Sequence, residues 1–187
     1  MDSCYSLNYV ILQKYKIAEV KVMIYKLFNY LKSVSIESEE GIQTLTHEGK
    51  YYQNDHVCLE VQEVNHNEIQ FKVVNADCEI KHIYVDFINP IENVKATLDD
   101  NGNLLPISDD DILQNQCYVY SDWGTYALGI ENGYDKGVNF QVDPNEIHLS
   151  FDLNESKLPC YRLLFEKYLS VYKGSEIVNR FKHQLGY

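Results

Sequence analysis

Apolar residues recur at helical spacing near both ends of the chain and at alternate positions between them. Ile17, Val20, Ile24, Leu27, Phe28, Leu31 and Val34 follow one another mostly at steps of three and four. Lys21, Lys26, Asn29 and Lys32 fall largely on the opposite side. This spacing predicts an amphipathic helix over 17–34. Tyr161, Leu164, Phe165, Tyr168, Leu169 and Tyr172 repeat the pattern and predict a second helix over 160–173. Pro159 suits its first turn and Gly174 its stop. Ser175 then caps a third, shorter helix carrying Ile177, Val178, Phe181 and Leu185, so residues 159–185 read as helical.

Between these ends, over 42–152, the period changes to two. Val57, Leu59 and Val61 alternate with Cys58, Glu60 and Gln62, and 69–74 returns after the turn Asn65–Glu68 as the second arm of a hairpin. Ile83, Val85 and Phe87 share one side of a strand that Asn89-Pro90 ends. Segments 94–98, 117–121, 125–130, 138–142 and 147–151 read as further strands. Asp99 to Asn103, Asp122-Trp123-Gly124, 132–137 and Asp143-Pro144-Asn145 connect them. The expected fold is α+β, a single domain over 1–187: an N-terminal amphipathic helix, a central antiparallel sheet or meander, and two C-terminal helices. At 187 residues such a chain buries an adequate core without disulfides or a structural metal.

Composition adds the environment. The start, Met1 to Gln13, has neither the basic residue nor the apolar run of a secretory signal. Cys4, Cys58, Cys78, Cys117 and Cys160 are scattered and odd in number, which suits reduced thiols. A cytoplasmic protein without membrane contact is the expectation. Tyrosine is abundant, 16 against 7 Phe and one Trp. A Tyr ring packs on sheets and its hydroxyl stays wet, so sheet packing explains the excess as well as interfaces do.

The charge changes the picture most. The net charge is −12, and it is unevenly placed. Residues 1–35 carry five lysines against Asp2 and Glu19, and residues 158–187 carry five basic residues against Glu166 and Glu176. The remaining 24 acids face only six lysines in the middle of the chain. With two arginines in all, the chain lacks the clustered cations that track a phosphate backbone, which argues against direct nucleic-acid binding.

Catalytic motifs are missing. There is no G-x-S-x-G, no H-E-x-x-H and no phosphate-binding G-x-x-x-x-G-K. His66-Asn67-Glu68 matches the H-x-E of zinc deaminases, but the P-C-x-x-C that completes such a site is absent, and a hairpin turn accounts for it. Asp99, Asn101, Asn103 and Asp110 occupy positions 1, 3, 5 and 12 of a calcium loop, yet its sixth position, a glycine in EF-hands, is Leu104. His56, Cys58, Cys78 and His82 supply four zinc-type ligands at spacings that match no finger. Neither a metal nor a cofactor is therefore expected.

Two functional readings follow. In the first, the chain is a non-enzymatic binding protein that neutralises a basic partner, a toxin nuclease or a nucleic-acid-binding protein. It acts as an immunity protein, an antitoxin or a phage-type inhibitor of a defence nuclease, its carboxylates standing in for phosphates. The expected contact residues are Asp99, Asp100, Asp109, Asp110, Asp111, Asp122 and Asp135, with Trp123, Tyr126 and Tyr134 as aromatic anchors. In the second, an enzyme or small-ligand protein builds its site from dispersed residues, with His82, Tyr84, Asp86, Asp122, Trp123 and Tyr126 as candidates. A flat acidic face favours the first; a deep polar pocket favours the second.

Overall fold

Alternation becomes strand wherever the sequence shows it, and also in two places where helix is expected. The computed structural model describes residues 26–108, 112–131, 137–153, 160–169 and 172–187. After a 3-10 turn, Leu27–Tyr30, come β1 (Leu31–Ser38), β2 (Gly41–Thr44), β3 (Thr46–Glu48), β4 (Tyr51–Gln53) and β5 (Val57–Asn65). The chain continues through β6 (Glu68–Ala76), β7 (His82–Ile88), β8 (Val94–Leu98), β9 (Leu104–Leu105) and β10 (Leu113–Gln114). It ends with β11 (Gln116–Ser121), β12 (Gly124–Ile130), β13 (Val138–Val142), β14 (Glu146–Asp152), β15 (Cys160–Tyr168) and the helix α1 (Gly174–Leu185).

The strands form two antiparallel sheets. One has six strands in the order β10-β13-β14-β7-β1-β2; the other has nine, in the order β3-β4-β5-β6-β15-β12-β11-β8-β9. Their inner faces share one core. Val34, Ile36, Val85, Phe87 and Leu149 come from the six-stranded sheet, and Leu59, Val61, Ile69, Leu128 and Leu163 from the nine-stranded one. Phe151 of β14 joins the two layers, its ring 4.5 Å from Tyr161 of β15 and 5.6 Å from Phe71 of β6. The fold is thus a β-sandwich with one α-helix among the described residues, and the α+β expectation is corrected.

Two helices of that expectation fall away. Residues 17–25 lie outside the described residues, and 27–34 make the 3-10 turn and the start of β1, whose Val34 and Ile36 point into the core. Residues 160–168 are β15, between β6 and β12. Tyr161, Leu163 and Phe165 of β15 face the sandwich core, while Leu164 and Tyr168 pack in a second cluster under α1. A strand covered on both sides carries apolar residues on both sides. Its pattern then loses the period of two, and a helical reading of the same letters becomes available.

The third helix is found as α1, with Ile177, Val178, Phe181 and Leu185 buried against Leu98, Tyr118, Ala127 and Tyr168. It begins one residue before the expected cap: the backbone N–H of Lys173 donates to Glu176 at 3.2 Å, and Gly186 closes the helix in the left-handed region, φ 87°. Gly174 is therefore its first residue and not the stop of a preceding helix. It touches the β8–β9 turn, where a Cβ on Gly102 would lie 2.2 Å from the Gly174 carbonyl carbon. Among the described residues no helix is long and apolar enough to cross a membrane.

Candidate functional site

Of the sandwich's two outer faces, that of the nine-stranded sheet is partly roofed by α1. The outer face of the six-stranded sheet carries no such cover among the described residues. Its side chains stand in rows fixed by strand register, since directly paired residues share a face. One row is Glu37, His82 and Asp152; the next is Thr44, Ser35, Tyr84, Ser150 and Asn139; the third is Ser33, Asp86, His148 and Gln141. The opposite residues of these strands fill the core.

The polar side chains hold one another. His82 lies between Glu37 at 3.1 Å and Asp152 at 3.0 Å. The Tyr84 hydroxyl donates to Glu37 at 2.5 Å. That bond is the main reason the Tyr84 phenol is pushed up to about 12. The same bond, helped by nearby His82 and Lys81, holds the Glu37 carboxyl below its ordinary range. Asp86 accepts from the Ser33 hydroxyl at 2.6 Å and meets His148 Nδ1 at 2.8 Å. The other ring nitrogen of His148 faces Asp143 at 3.5 Å. Lys32 is paired with Glu146.

Acid outweighs base here. Glu37, Asp86, Asp143, Glu146 and Asp152 gather on or beside this face, and among the described residues the cations seen at it are Lys32 and Lys81. The other lysine and arginine ion pairs sit on the nine-stranded sheet or its turns: Lys26 with Glu63, Lys50 with Glu60, Lys95 with Asp122, Arg162 with Glu68 and Glu131, and Lys182 with Asp100.

A groove of about 410 Å³ runs across the face, lined by Ser35, Tyr84, Asp86 and His148 and flanked by Ile42 and Ile112. Both isoleucines are exposed, at 67% and 63%. Ile42 lies on edge strand β2 and Ile112 beside the opposite edge strand β10. Six strands at the usual spacing span roughly 24 Å edge to edge. The groove thus reaches from one edge region of the sheet toward the other.

The face does not present the arrangement of a serine nucleophile. A serine nucleophile needs histidine beside it and a carboxylate behind the histidine. Here the carboxylate of Asp86 stands between Ser33 and His148, so the order is wrong for proton abstraction from the hydroxyl. Among the described residues no group of three or more His, Cys, Asp or Glu side chains is placed to hold a metal ion. The four zinc-type candidates are divided. His56 contacts Asp77 at 2.9 Å and shares a cleft with Cys78, whereas His82 lies on the outer six-stranded face. Asp99 of the calcium-like loop is engaged by its own turn, accepting from the N–H groups of Asn101 at 2.9 Å and Asn103 at 2.8 Å. His66 and Asn67 form the β5–β6 turn.

The described members of the set expected to contact a partner, Asp99, Asp100, Asp122, Trp123 and Tyr126, lie in separate places. Asp99 and Asp100 follow the end of β8, and Asp122 and Trp123 follow the end of β11, which pairs antiparallel with β8, so the two groups lie at opposite ends of that pair. Asp100 accepts from Gln116 at 2.7 Å. Trp123 is exposed and suits an anchor, whereas Tyr126 is buried in the core, stacked on Phe165 at 5.8 Å, and is not a surface anchor. Asp109, Asp110, Asp111, Tyr134 and Asp135 lie outside the described residues.

Of the dispersed-site candidates, His82, Tyr84 and Asp86 come together on β7, and Asp122, Trp123 and Tyr126 belong to the other sheet. Sequence reasoning missed Glu37, His148 and Asp152. The alternation Glu146, His148, Ser150, Asp152 against Ile147, Leu149, Phe151 was the signal that placed the last two on an outer face. Comparison of the chain with protein-family models, with curated proteins and with solved structures returned no match.

Proposed function

We propose that this chain is a non-enzymatic binding protein that neutralises a basic protein partner by covering it, as immunity proteins, antitoxins and phage-type inhibitors of defence nucleases do. The observation that carries the reading is the outer face of the six-stranded sheet, a grooved polar surface with Glu37, Asp86, Glu146 and Asp152 on it and few cations to balance them among the described residues. Such a face meets a surface built for phosphate, and its field speeds encounter while buried contacts set release. Three of the dispersed-site candidates also converge on this face. It is open and shallow, however, and its ordering of Ser33, Asp86 and His148 does not activate a nucleophile.

The test compares the full chain with a Glu37→Lys, Asp152→Lys variant, each used as bait in its native cell. A basic protein retained at low salt by the wild type and lost from the variant is the expected result. With that partner in hand, reversing Asp109, Asp110 and Asp111 to Lys slows association about tenfold, and Trp123→Ala changes mainly dissociation. An association rate indifferent to salt and to both reversals refutes electrostatic capture.

A further inference from the structure

The groove has features that a merely acidic surface does not require. Its central row is built of small side chains, Ser35 and Ser150, on either side of Tyr84 in β7. This leaves a hollow beside an aromatic ring. Asp86 lies one row along and has two of its acceptor positions filled, by Ser33 and His148. A carboxylate offers about four such positions, so two remain for donors from outside. At either end stand Ile42 and Ile112, two of the most exposed aliphatic side chains among the described residues. Large aliphatic groups left in water on both rims of one acidic hollow suit a ligand that is cationic in the middle and apolar on either side.

Arginine fits these surroundings better than lysine. Its guanidinium is a flat fork of five donors that pairs with a carboxylate through two parallel bonds and stacks on an aromatic ring. Asp86 and Tyr84 supply the carboxylate and the ring within one groove. An ammonium can also sit over a ring, but it is a compact, more strongly hydrated point charge that cannot stack flat or match a two-point acceptor.

We infer that the groove between Ile42 and Ile112 seats an arginine side chain of the basic partner, held by Asp86 and Tyr84, with other apolar side chains of the partner's surface covering the two isoleucines. This inference rests on the binding reading above and specifies what that face recognises.

The probe is the peptide acetyl-Leu-Gly-Arg-Gly-Leu-amide, whose leucines share a side with the arginine when the peptide is extended, titrated into the labelled full chain and followed by amide resonance shifts. Two control peptides carry lysine or uncharged citrulline in place of arginine. Shifts confined to the rows around Tyr84, Asp86 and His148 and to both rims are expected, with the lysine peptide about tenfold weaker and the citrulline peptide weaker still. Asp86→Asn lowers affinity for the arginine peptide by about tenfold. Because that change also disturbs the bonds to Ser33 and His148, Ser150→Phe serves as a second variant that fills the hollow and leaves Asp86 and its partners in place. It too abolishes the shifts.

Arginine and lysine peptides bound equally, shifts scattered elsewhere, or binding unaffected by both variants overturn the inference. Broadening of the groove resonances with protein concentration alone assigns the face to a second copy of this chain and overturns it as well. A negative peptide result beside a Glu37→Lys, Asp152→Lys variant that still loses its basic partner removes the arginine seat and leaves the binding reading intact. If that variant keeps the partner, the binding reading falls too.

Discussion

Gly102→Ala tests how the helix is held on the sandwich. Gly102 turns the chain between β8 and β9 with φ +83°, and its missing side chain is the space into which the first residue of α1 fits. A left-handed conformation costs a residue with a Cβ about 1–2 kcal/mol. The added methyl also meets backbone, 2.2 Å from the Gly174 carbonyl carbon and 2.2 Å from the Ser175 nitrogen, and no rotamer change relieves that. Either the turn or the start of α1 must move, which loosens Ile177 and Val178 from the sheet. With overpacking at about 1–3 kcal/mol, the total is about 3 kcal/mol, slightly reduced by the stiffer unfolded chain. At a urea slope of about 2 kcal/mol/M this lowers the unfolding midpoint by roughly 1.5 M. Gly49→Ala is the control. Its φ is also positive, +67°, but a Cβ there meets nothing within 4 Å, so only the conformational cost applies. Equal midpoints for Gly102→Ala and Gly49→Ala would refute the idea that the Gly102–Gly174 contact docks the helix.

Phe151→Ala removes the ring that bridges the two layers and costs about 3–5 kcal/mol, read from denaturant unfolding; a loss under about 1 kcal/mol shows that the layers are held elsewhere. Tyr84→Phe flattens the pH dependence of stability at both ends. The raised Tyr84 phenol gives stability that is complete below its ordinary value of 10 and lost as pH climbs through about 12. The lowered Glu37 carboxyl gives stability that is present above its ordinary value of 4.5 and lost as pH falls through its folded value. Removing the shared hydrogen bond weakens both, so unfolding midpoints across that range separate the variant from the wild type, and parallel profiles contradict the coupling.

Strands were legible where exactly one side is wet. In β5 and β14 the core residues Val57, Leu59, Val61 and Ile147, Leu149, Phe151 alternate with polar ones, and the period of two identifies both. The same rule failed at β15 because α1 covers its second side over Leu164 and Tyr168. It failed at β1 because Leu27, Phe28 and Leu31 of the entering turn extend the apolar spacing backwards across a strand whose bulge interrupts its register between Leu31 and Ser33. The site was half legible for a related reason. His82, Tyr84 and Asp86 lie on one strand, so alternation alone groups them. Glu37 and Asp152 join His82 only because β7 lies between β14 and β1 in the sheet, an order that local patterns do not encode.

The uneven charge acquires a physical meaning from this strand order. The basic C-terminal part of the chain forms β15 and α1, and both belong to the nine-stranded side. Arg162 there answers Glu68 and Glu131, and Lys182 answers Asp100. The cations at the chain's end thus offset carboxylates of the sheet they pack with. The six-stranded sheet receives none of them. Its outer carboxylates are instead steadied by hydroxyls and a histidine: Tyr84 on Glu37, and Ser33 and His148 on Asp86. Hydrogen bonds of that kind fix the geometry of a carboxylate and leave most of its charge in place. A solubility role would be served as well by acids spread over all surfaces. On the outer face of the six-stranded sheet Glu37, Asp86 and Asp152 have no lysine or arginine ion pair among the described residues, and that is the feature on which the proposed capture of a cationic partner depends.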